Sequence, residues 1–391
     1  MPRGMDSDGR GRRRGKGGCR AEGGGGHGFG GGTSLCSPKE GNGECARRGR
    51  KKRKEAVEIP LAGNHPTRQP SGEMVSDNLQ EYLRGFARAG EPWPELPRPD
   101  PVGTSWWREF LGRTAPGERF AELREGFPQL WLPTAEGQRQ SPDYQRLVLR
   151  GEAPTEEVRA RAPVLRDPEG LAISLEENPC GAMPVLRVRD REDFLFLLHA
   201  LAHHGEPVPV GEGVHAQALG GVIHWGIVHA EGPRARARLI LLHHSPYGSV
   251  PASEVPGEWS EEGWSEASDA LRLEHELTHQ ATKALLGEMR INLLDELVAD
   301  TMGMIHALGF FDAELFRKCL GARPDGTAIP GARLPTYTAG LGEEDAANAV
   351  RLCLERAAEI EAAGRAGRIP SDRWERLRWL VGLRLDLPLE G

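Results

Sequence analysis

The sequence predicts an α+β fold with a small β-sheet and a predominantly helical C-terminal half. Residues 185–189 alternate as in a strand, and the apolar runs at 222–230 and 236–244 are also typical of strands. From residue 265 onward, apolar residues recur with helical spacing in long stretches that end at glycines such as Gly287 and Gly309. A chain of 391 residues is long enough to bury a substantial core.

The elements are expected in a definite order along the chain. Capping residues such as Ser76 and Asp190 mark helix starts, and glycines mark helix ends. Two β-rich runs joined by residues 231–234 predict a hairpin, and a loop rich in Pro, Gly and Ser over 245–264 leads from it to a long helix. In chain order we expect a helix over 76–88, short aromatic-rich helices over 104–150, a strand at 185–189, a helix over 190–203, hairpin strands at 222–230 and 236–244, and helices over 265–286, 292–308, 311–320, 343–364 and 371–384.

Composition divides the chain into three regions. Residues 1–73 are rich in Gly and Arg, which predicts either a disordered basic head or translated sequence upstream of a true start at Met74. Residues 74–179 are predicted to form a helical N-terminal region with a Pro-rich linker at 91–102. Residues 180–390 are predicted to form the domain that carries the chemistry.

Charge is distributed unevenly within the net value of -7. The first 55 residues hold 15 Lys or Arg against 6 Asp or Glu, so the remainder is acidic. An acidic body does not favour nucleic-acid binding, which leaves the basic head as the segment able to provide it. The six cysteines form no CxxC pair, and no apolar run is long enough to span a membrane. We therefore expect a cytoplasmic protein.

The motif that carries chemistry is His275-Glu276-Leu277-Thr278-His279, an H-E-x-x-H sequence inside a strongly helical stretch. Residues four apart share a helix face, so both imidazoles can bind one Zn²⁺ ion. Glu276 lies one position round the helix, close enough to activate a metal-bound water without being a ligand itself. Zinc in a catalytic site needs a third protein ligand.

Glu296 is the best candidate for that third ligand. It lies four residues before Asp300 on the same face of the next predicted helix. Seven helical residues lead from His279 to the end of the first helix, about 10 Å, and the return path brings Glu296 near the level of His279. Asp295 and His306 are the alternative ligands. Gly303, seven residues after Glu296, continues the same face and would let a neighbouring helix approach closely.

The combination of H-E-x-x-H with a helical E-x-x-x-D resembles the gluzincin metallopeptidases, the group of thermolysin. The string from Met289 to Asp300 also resembles a little-studied set of bacterial zincin-like proteins of unknown function. The resemblance implies a zincin-like fold with an active-site helix, and zinc bound by His275, His279 and Glu296. It further implies that Glu276 is the general base, that Asp300 orients a ligand imidazole, and that the strand at 239–242 is the sheet edge that pairs with a peptide substrate.

An oxyanion donor is also needed for hydrolysis, and Tyr247, Tyr337 and His306 are the candidates. The leading hypothesis is a zinc-dependent hydrolase, specifically a metallopeptidase acting on peptides or proteins. Two alternatives remain open. One is a non-catalytic interaction module stabilised by zinc, and the other is a nucleic-acid-associated protein that works through the basic head.

Overall fold

A computed structural model describes residues 76–389, and the predicted head at 1–73 lies outside the described residues. Within the described part the fold is mixed α/β, with one small sheet and many helices. No helix there is long and apolar enough to cross a membrane. The helices are α1 (Asp77–Leu83), α2 (Thr104–Arg113), α3 (Arg119–Gly126), α4 (Pro142–Tyr144), α5 (Glu156–Ala160), α6 (Arg191–Ala202), α7 (Trp225–Glu231), α8 (Glu261–Leu286), α9 (Leu293–Leu308), α10 (Ala313–Leu320), α11 (Leu334–Thr338), α12 (Glu343–Arg365) and α13 (Arg373–Val381).

The sheet has four strands in the order β1-β2-β4-β3. They are β1 (Ala172–Glu176), β2 (Met183–Val188), β3 (Ala216–Val222) and β4 (Ala237–His243). Strands β2 and β4 run parallel, whereas β1 pairs with β2 and β3 pairs with β4 in antiparallel fashion. The boundary predicted at residue 180 therefore falls between two paired strands of one sheet.

Two predictions about this sheet are wrong. The run 222–230 is not a hairpin strand, because α7 occupies Trp225–Glu231 and begins where the His224 ring nitrogen Nδ1 accepts the amide of Ile227 at 3.1 Å. The run 239–242 is not an edge either, because β4 lies between β2 and β3. The edge on that side of the sheet is β3, which the sequence analysis did not identify.

The two faces of the sheet are covered by different elements. One face packs with α6 and with the aromatic side chains of the N-terminal helices. The other face packs against α8 through Leu277. Alternation along the strands produces this arrangement, since successive side chains point to opposite faces. The residues toward α8 are Met183, Val185, Ile240 and Leu242, and those toward α6 include Leu186, Val188, Leu239 and Leu241.

Helices α8 and α9 form the pair that positions the site. Gly287 ends α8 in the left-handed conformation (φ 74°), and Asn292 caps α9 by accepting the amide of Asp295 at 3.1 Å. A Cβ at Gly303 would lie 2.7 Å from the carbonyl oxygen of Leu271. The close approach predicted at Gly303 is therefore present, because only a residue without a side chain lets α9 contact the α8 backbone.

Helix α1 belongs to the same core as the C-terminal helices. Leu79 and Leu83 are buried in the cluster that contains Val350 and Cys353 of α12. The side chain of Arg290, in the turn between α8 and α9, donates to the carbonyl oxygens of Glu81 and Gly85. The N-terminal segment thus supports the turn between the two helices of the site.

Candidate metal centre

Helix α8 presents one polar stripe to the interior. Arg272, His275, Glu276 and His279 are spaced by three, one and three residues, so they lie on one helix face, and all are buried. The rings of His275 and His279 lie edge to face with centroids 4.6 Å apart. Their Nε2 atoms are 3.1 Å apart. The predicted pairing of the two imidazoles on one face is therefore present.

Glu296 of α9 completes the cluster. Its Oε1 lies 3.3 Å from Nε2 of His279, and its Oε2 lies 3.6 Å from Nε2 of His275. One ligand atom from each of the three residues lies within 4.8 Å of the others, and all three residues are buried. This His-His-Glu group could hold a metal ion.

A carboxylate lies behind each histidine. Oδ1 of Asp300 is 2.7 Å from Nδ1 of His275. Oδ1 of Asp295 is 3.2 Å from Nδ1 of His279, at ion-pair distance but without the alignment of a hydrogen bond. Sequence reasoning considered Asp295 only as an alternative ligand. Its place behind His279 follows from its position directly before Glu296 in the first turn of α9.

Arg333 is the functional residue that the sequence did not reveal. Its Nη1 donates to Oε2 of Glu296 at 3.1 Å and to the Tyr247 hydroxyl at 3.3 Å, and its Nη2 donates to Asp300. The residue precedes α11 and reaches the cluster from a distant part of the chain. No local pattern could have indicated it, because its partners are more than thirty positions away.

The three candidate oxyanion donors lie in different surroundings. The Tyr247 hydroxyl donates to Asp300 and lies 3.0 Å from Nδ1 of His275, on the side of that ring away from Glu296. Tyr337 lines the cavity of the cluster, and burial together with the charge of Glu296 raises the pKa of its hydroxyl well above the usual value. His306 is exposed in the last turn of α9 and does not line that cavity.

The charges of the cluster support one another. Burial alone would lower the pKa of His279, but Asp295 and Glu296 outweigh it and raise that pKa well above its usual range. Burial would raise the pKa of Asp300, yet Arg333 and His275 hold it at about 2. The pKa of Glu296 is likewise lowered, because His275, His279 and Arg333 outweigh its burial. Glu296 and Asp300 are therefore ionised at neutral pH, and the cluster attracts positive charge.

A cavity of about 420 Å³ opens over the cluster. Its walls include the carboxylate-bearing Glu276, His215 with the first residues 216–218 of the edge strand β3, and Tyr337. Met289 and Ile291, in the turn between α8 and α9, are 39% and 58% exposed and form an apolar rim. The cavity therefore joins the His-His-Glu group to an exposed strand edge.

Comparison with known proteins gives a family but no function. A family model described as a family of unknown function (DUF7005) matches residues 71–234 and 231–381. The chain belongs to this family. Strand β3 lies in the first matched segment and β4 in the second, so the sheet is built from both. No match was found among curated proteins or among solved structures.

Proposed function

We propose that this protein is a zinc-dependent hydrolase, specifically a metallopeptidase. The observation that carries the proposal is the orientation of the two imidazoles. Each Nδ1 faces a carboxylate, Asp300 for His275 and Asp295 for His279, so a neutral ring would hold its proton at Nδ1 and direct a free Nε2 at the other ring and at Glu296. The raised pKa of His279 means that without a metal this ring carries a second proton, and we propose that a metal ion replaces that proton between the two Nε2 atoms and Glu296.

Zinc is the ion that suits this donor set. Two imidazoles and one carboxylate are typical of catalytic zinc, which keeps a fourth position for water or substrate, whereas structural zinc sites use four protein ligands. Arg333 donates to Oε2 of Glu296, and Oε1 of that carboxylate faces His279. Because only Oε1 is free to bind the ion, Glu296 is expected to be a monodentate ligand, which leaves a coordination position for a further ligand.

The residues around the cluster suit peptide hydrolysis. Bound zinc lowers the pKa of water and polarises a carbonyl group. Glu276 lines the same cavity and is proposed to take the proton from the attacking water and pass it to the leaving amine. Asp295 and Asp300 would hold the two imidazoles in the required orientation, and Arg333 would hold Glu296.

The sheet edge supports a peptide rather than a small substrate. Residues 216–218 of β3 line the cavity, and within the described residues 76–389 β3 pairs on one side only, with β4. An unpaired strand edge can bind an extended peptide through main-chain hydrogen bonds. The gluzincin resemblance places a substrate strand at the sheet edge, and in this chain β3 is proposed to take that role.

The first test is the variant Glu276→Gln. Zinc content, measured by elemental analysis of the purified protein, is expected to stay near one ion per chain. Hydrolysis of a peptide library is expected to fall by about 10²–10⁴-fold, because the carboxylate that moves the proton is gone. Glu266→Gln, at an exposed position of the same helix, is the matched control and should keep full activity. Full activity in Glu276→Gln, or a wild type without zinc, would contradict the proposal.

A non-catalytic zinc module is the second candidate. It is favoured by one observation, namely that the Tyr247 hydroxyl is bonded to Asp300 and His306 lies outside the cavity, which leaves Tyr337 as the remaining candidate donor. Chelation of zinc separates the two functions. A metallopeptidase should lose activity and stay folded, whereas a structural zinc module should lose its circular dichroism signal as zinc is removed.

A further inference from the structure

Arg272 is a buried cation in the wall of the metal cavity. It lies one helical turn before His275 and Glu276 on the same face of α8, and it lines the cavity with them. Only 2% of its surface is exposed. Arginine is rarely buried to this extent without a charged partner.

The guanidinium of Arg272 has carbonyl partners but no carboxylate. Its Nη2 donates to the carbonyl oxygens of Ser245 at 2.9 Å and Pro246 at 3.4 Å. Asp269, one turn earlier on α8, is bonded to Arg187 at 2.9 Å. Within residues 76–389, no acidic group lies within ion-pair distance of Arg272, and its buried Nη1 has no hydrogen-bond partner.

Comparable arginines of this protein are paired. Arg356, which is also buried, forms an ion pair with Glu359. Arg333, the other arginine of the cavity, binds two carboxylates of the cluster.

Asp269 and Glu276 act on the charge of Arg272 only from beyond ion-pair distance. The guanidinium of Arg272 lies 5.5 Å from the centre of the Tyr247 ring. A buried charge is costly unless it is paired, so among the described residues Arg272 lacks an anion in direct contact.

We propose that Arg272 binds a carboxylate of the substrate, which makes the enzyme selective for peptides with an acidic group near the scissile bond. The inference rests on the proposed function and names its substrate class. A guanidinium can bind a carboxylate through two parallel hydrogen bonds. This interaction is stronger in a cavity that contains little water than in bulk solvent. One helical turn is about 5 Å, and an extended peptide advances about 3.3 Å per residue, so the acidic group lies one or two residues from the cleaved bond.

Two sources could supply this carboxylate, an Asp or Glu side chain or a free C-terminus. The experiment uses octapeptides randomised at every position, synthesised once with a C-terminal acid and once with a C-terminal amide. Wild type and Arg272→Gln digest both pools, and mass spectrometry reads the residues around each cut. If the carboxylate comes from a side chain, the peptides cut by wild type should be enriched in Asp and Glu at one fixed position relative to the cut. If it comes from the C-terminus, wild type should cut the acid pool at a fixed distance from the C-terminus and leave the amide pool uncut.

Arg272→Gln should reduce this preference at least tenfold, measured as the ratio of acidic to neutral peptides cut within the same digest. Arg272→Lys keeps the charge but not the paired donors, so it should retain a reduced preference. It also serves as the test if Arg272→Gln does not fold. Arg238→Gln removes a half-buried arginine that does not line the cavity and should leave the preference unchanged. Cleavage by wild type without acidic preference overturns the inference, as does a variant that slows neutral and acidic peptides equally.

Binding separates this inference from the proposed function. Zinc-loaded Glu276→Gln is immobilised and exposed to the same pools, with and without the Arg272→Gln change. Capture of acidic peptides that depends on Arg272, in a protein whose wild type cuts nothing, would sustain the carboxylate site and refute hydrolysis. If neither cleavage nor capture occurs, both proposals fail.

Discussion

At the scale of single residues, the site is a set of histidines whose outer nitrogens are matched to carboxylates. His275 Nδ1 is hydrogen-bonded to Asp300 and His279 Nδ1 lies at ion-pair distance from Asp295, so each ring has one nitrogen beside an acid and the other directed into the cluster. A carboxylate behind a ligand imidazole fixes its tautomer and raises its basicity. We therefore expect the two acids to influence how tightly the cluster binds a metal ion.

Asp295→Asn tests this arrangement. The amide cannot stabilise the Nδ1 proton of His279 as a carboxylate does, so zinc affinity is expected to fall by about 10–100-fold. Competition with a chromogenic chelator measures the affinity. His306→Asn is the control, because His306 is exposed and lies outside the cavity. An unchanged affinity in Asp295→Asn would show that the 3.2 Å contact contributes nothing to the site.

The local part of the site could be predicted from the sequence, and the distant part could not. His275, His279, Glu296 and Asp300 were found because helical spacing relates them in pairs. Arg333 comes from a loop before α11, where nothing in its neighbours indicates a site. Its contacts depend on how the whole C-terminal half packs.

At the scale of elements, helices were predicted well because their ends are marked in the sequence. Asn292 and Gly309 bound α9 as expected, and Gly287 ends α8. The Val and Ile residues of the run 222–230 favour a strand, but this prediction is wrong. The segment forms helix α7 instead of a strand because His224 caps it and Ile227 is buried in the core. These are tertiary effects that a β-rich composition does not reveal.

The contact between α8 and α9 predicts the effect of Gly303→Ala. A Cβ there would meet the Leu271 carbonyl oxygen at 2.7 Å, and backbone cannot move aside as a flexible side chain can. The helices must separate, so the free energy of unfolding should fall by about 1–3 kcal/mol. Zinc affinity should fall with it, since Glu296 lies on α9 and both histidines lie on α8.

Urea unfolding and chelator competition measure the two effects. Gly112→Ala is the matched control, because Gly112 also lies in a helix but no atom lies within 4 Å of a Cβ built there. Alanine favours helix over glycine, so this variant should be unchanged or more stable by up to about 1 kcal/mol. Equal stability of the two alanine variants would mean that the close approach does not constrain the helix pair.

At the scale of the whole molecule, the fold depends on contacts between distant parts of the chain. The sheet combines strands from both segments matched by the family model. Side chains of α1 and α12 lie in the same hydrophobic core. His224 lies at another such junction. Its ring is buried between Trp106 and Phe127, with centroids 4.1 Å and 4.4 Å away, and caps α7.

The stability of the whole fold should therefore depend on pH through His224. Burial lowers its pKa from 6.5 to about 3. Because the folded state binds the proton less well than the unfolded chain, the contribution is complete above pH 6.5 and is lost as the pH falls toward 3. Between pH 7.5 and pH 5 this amounts to about 2 kcal/mol.

The variant His224→Asn isolates that contribution, since asparagine can cap a helix but does not titrate in this range. Urea unfolding at pH 7.5 and at pH 5, with zinc removed from all samples, gives the two free energies of unfolding. Wild type should lose about 2 kcal/mol more than His224→Asn over this interval, although the variant starts lower because it leaves space between the aromatic rings. Parallel losses in the two proteins would mean that the buried ring takes up its proton without cost, for instance by moving out from between Trp106 and Phe127.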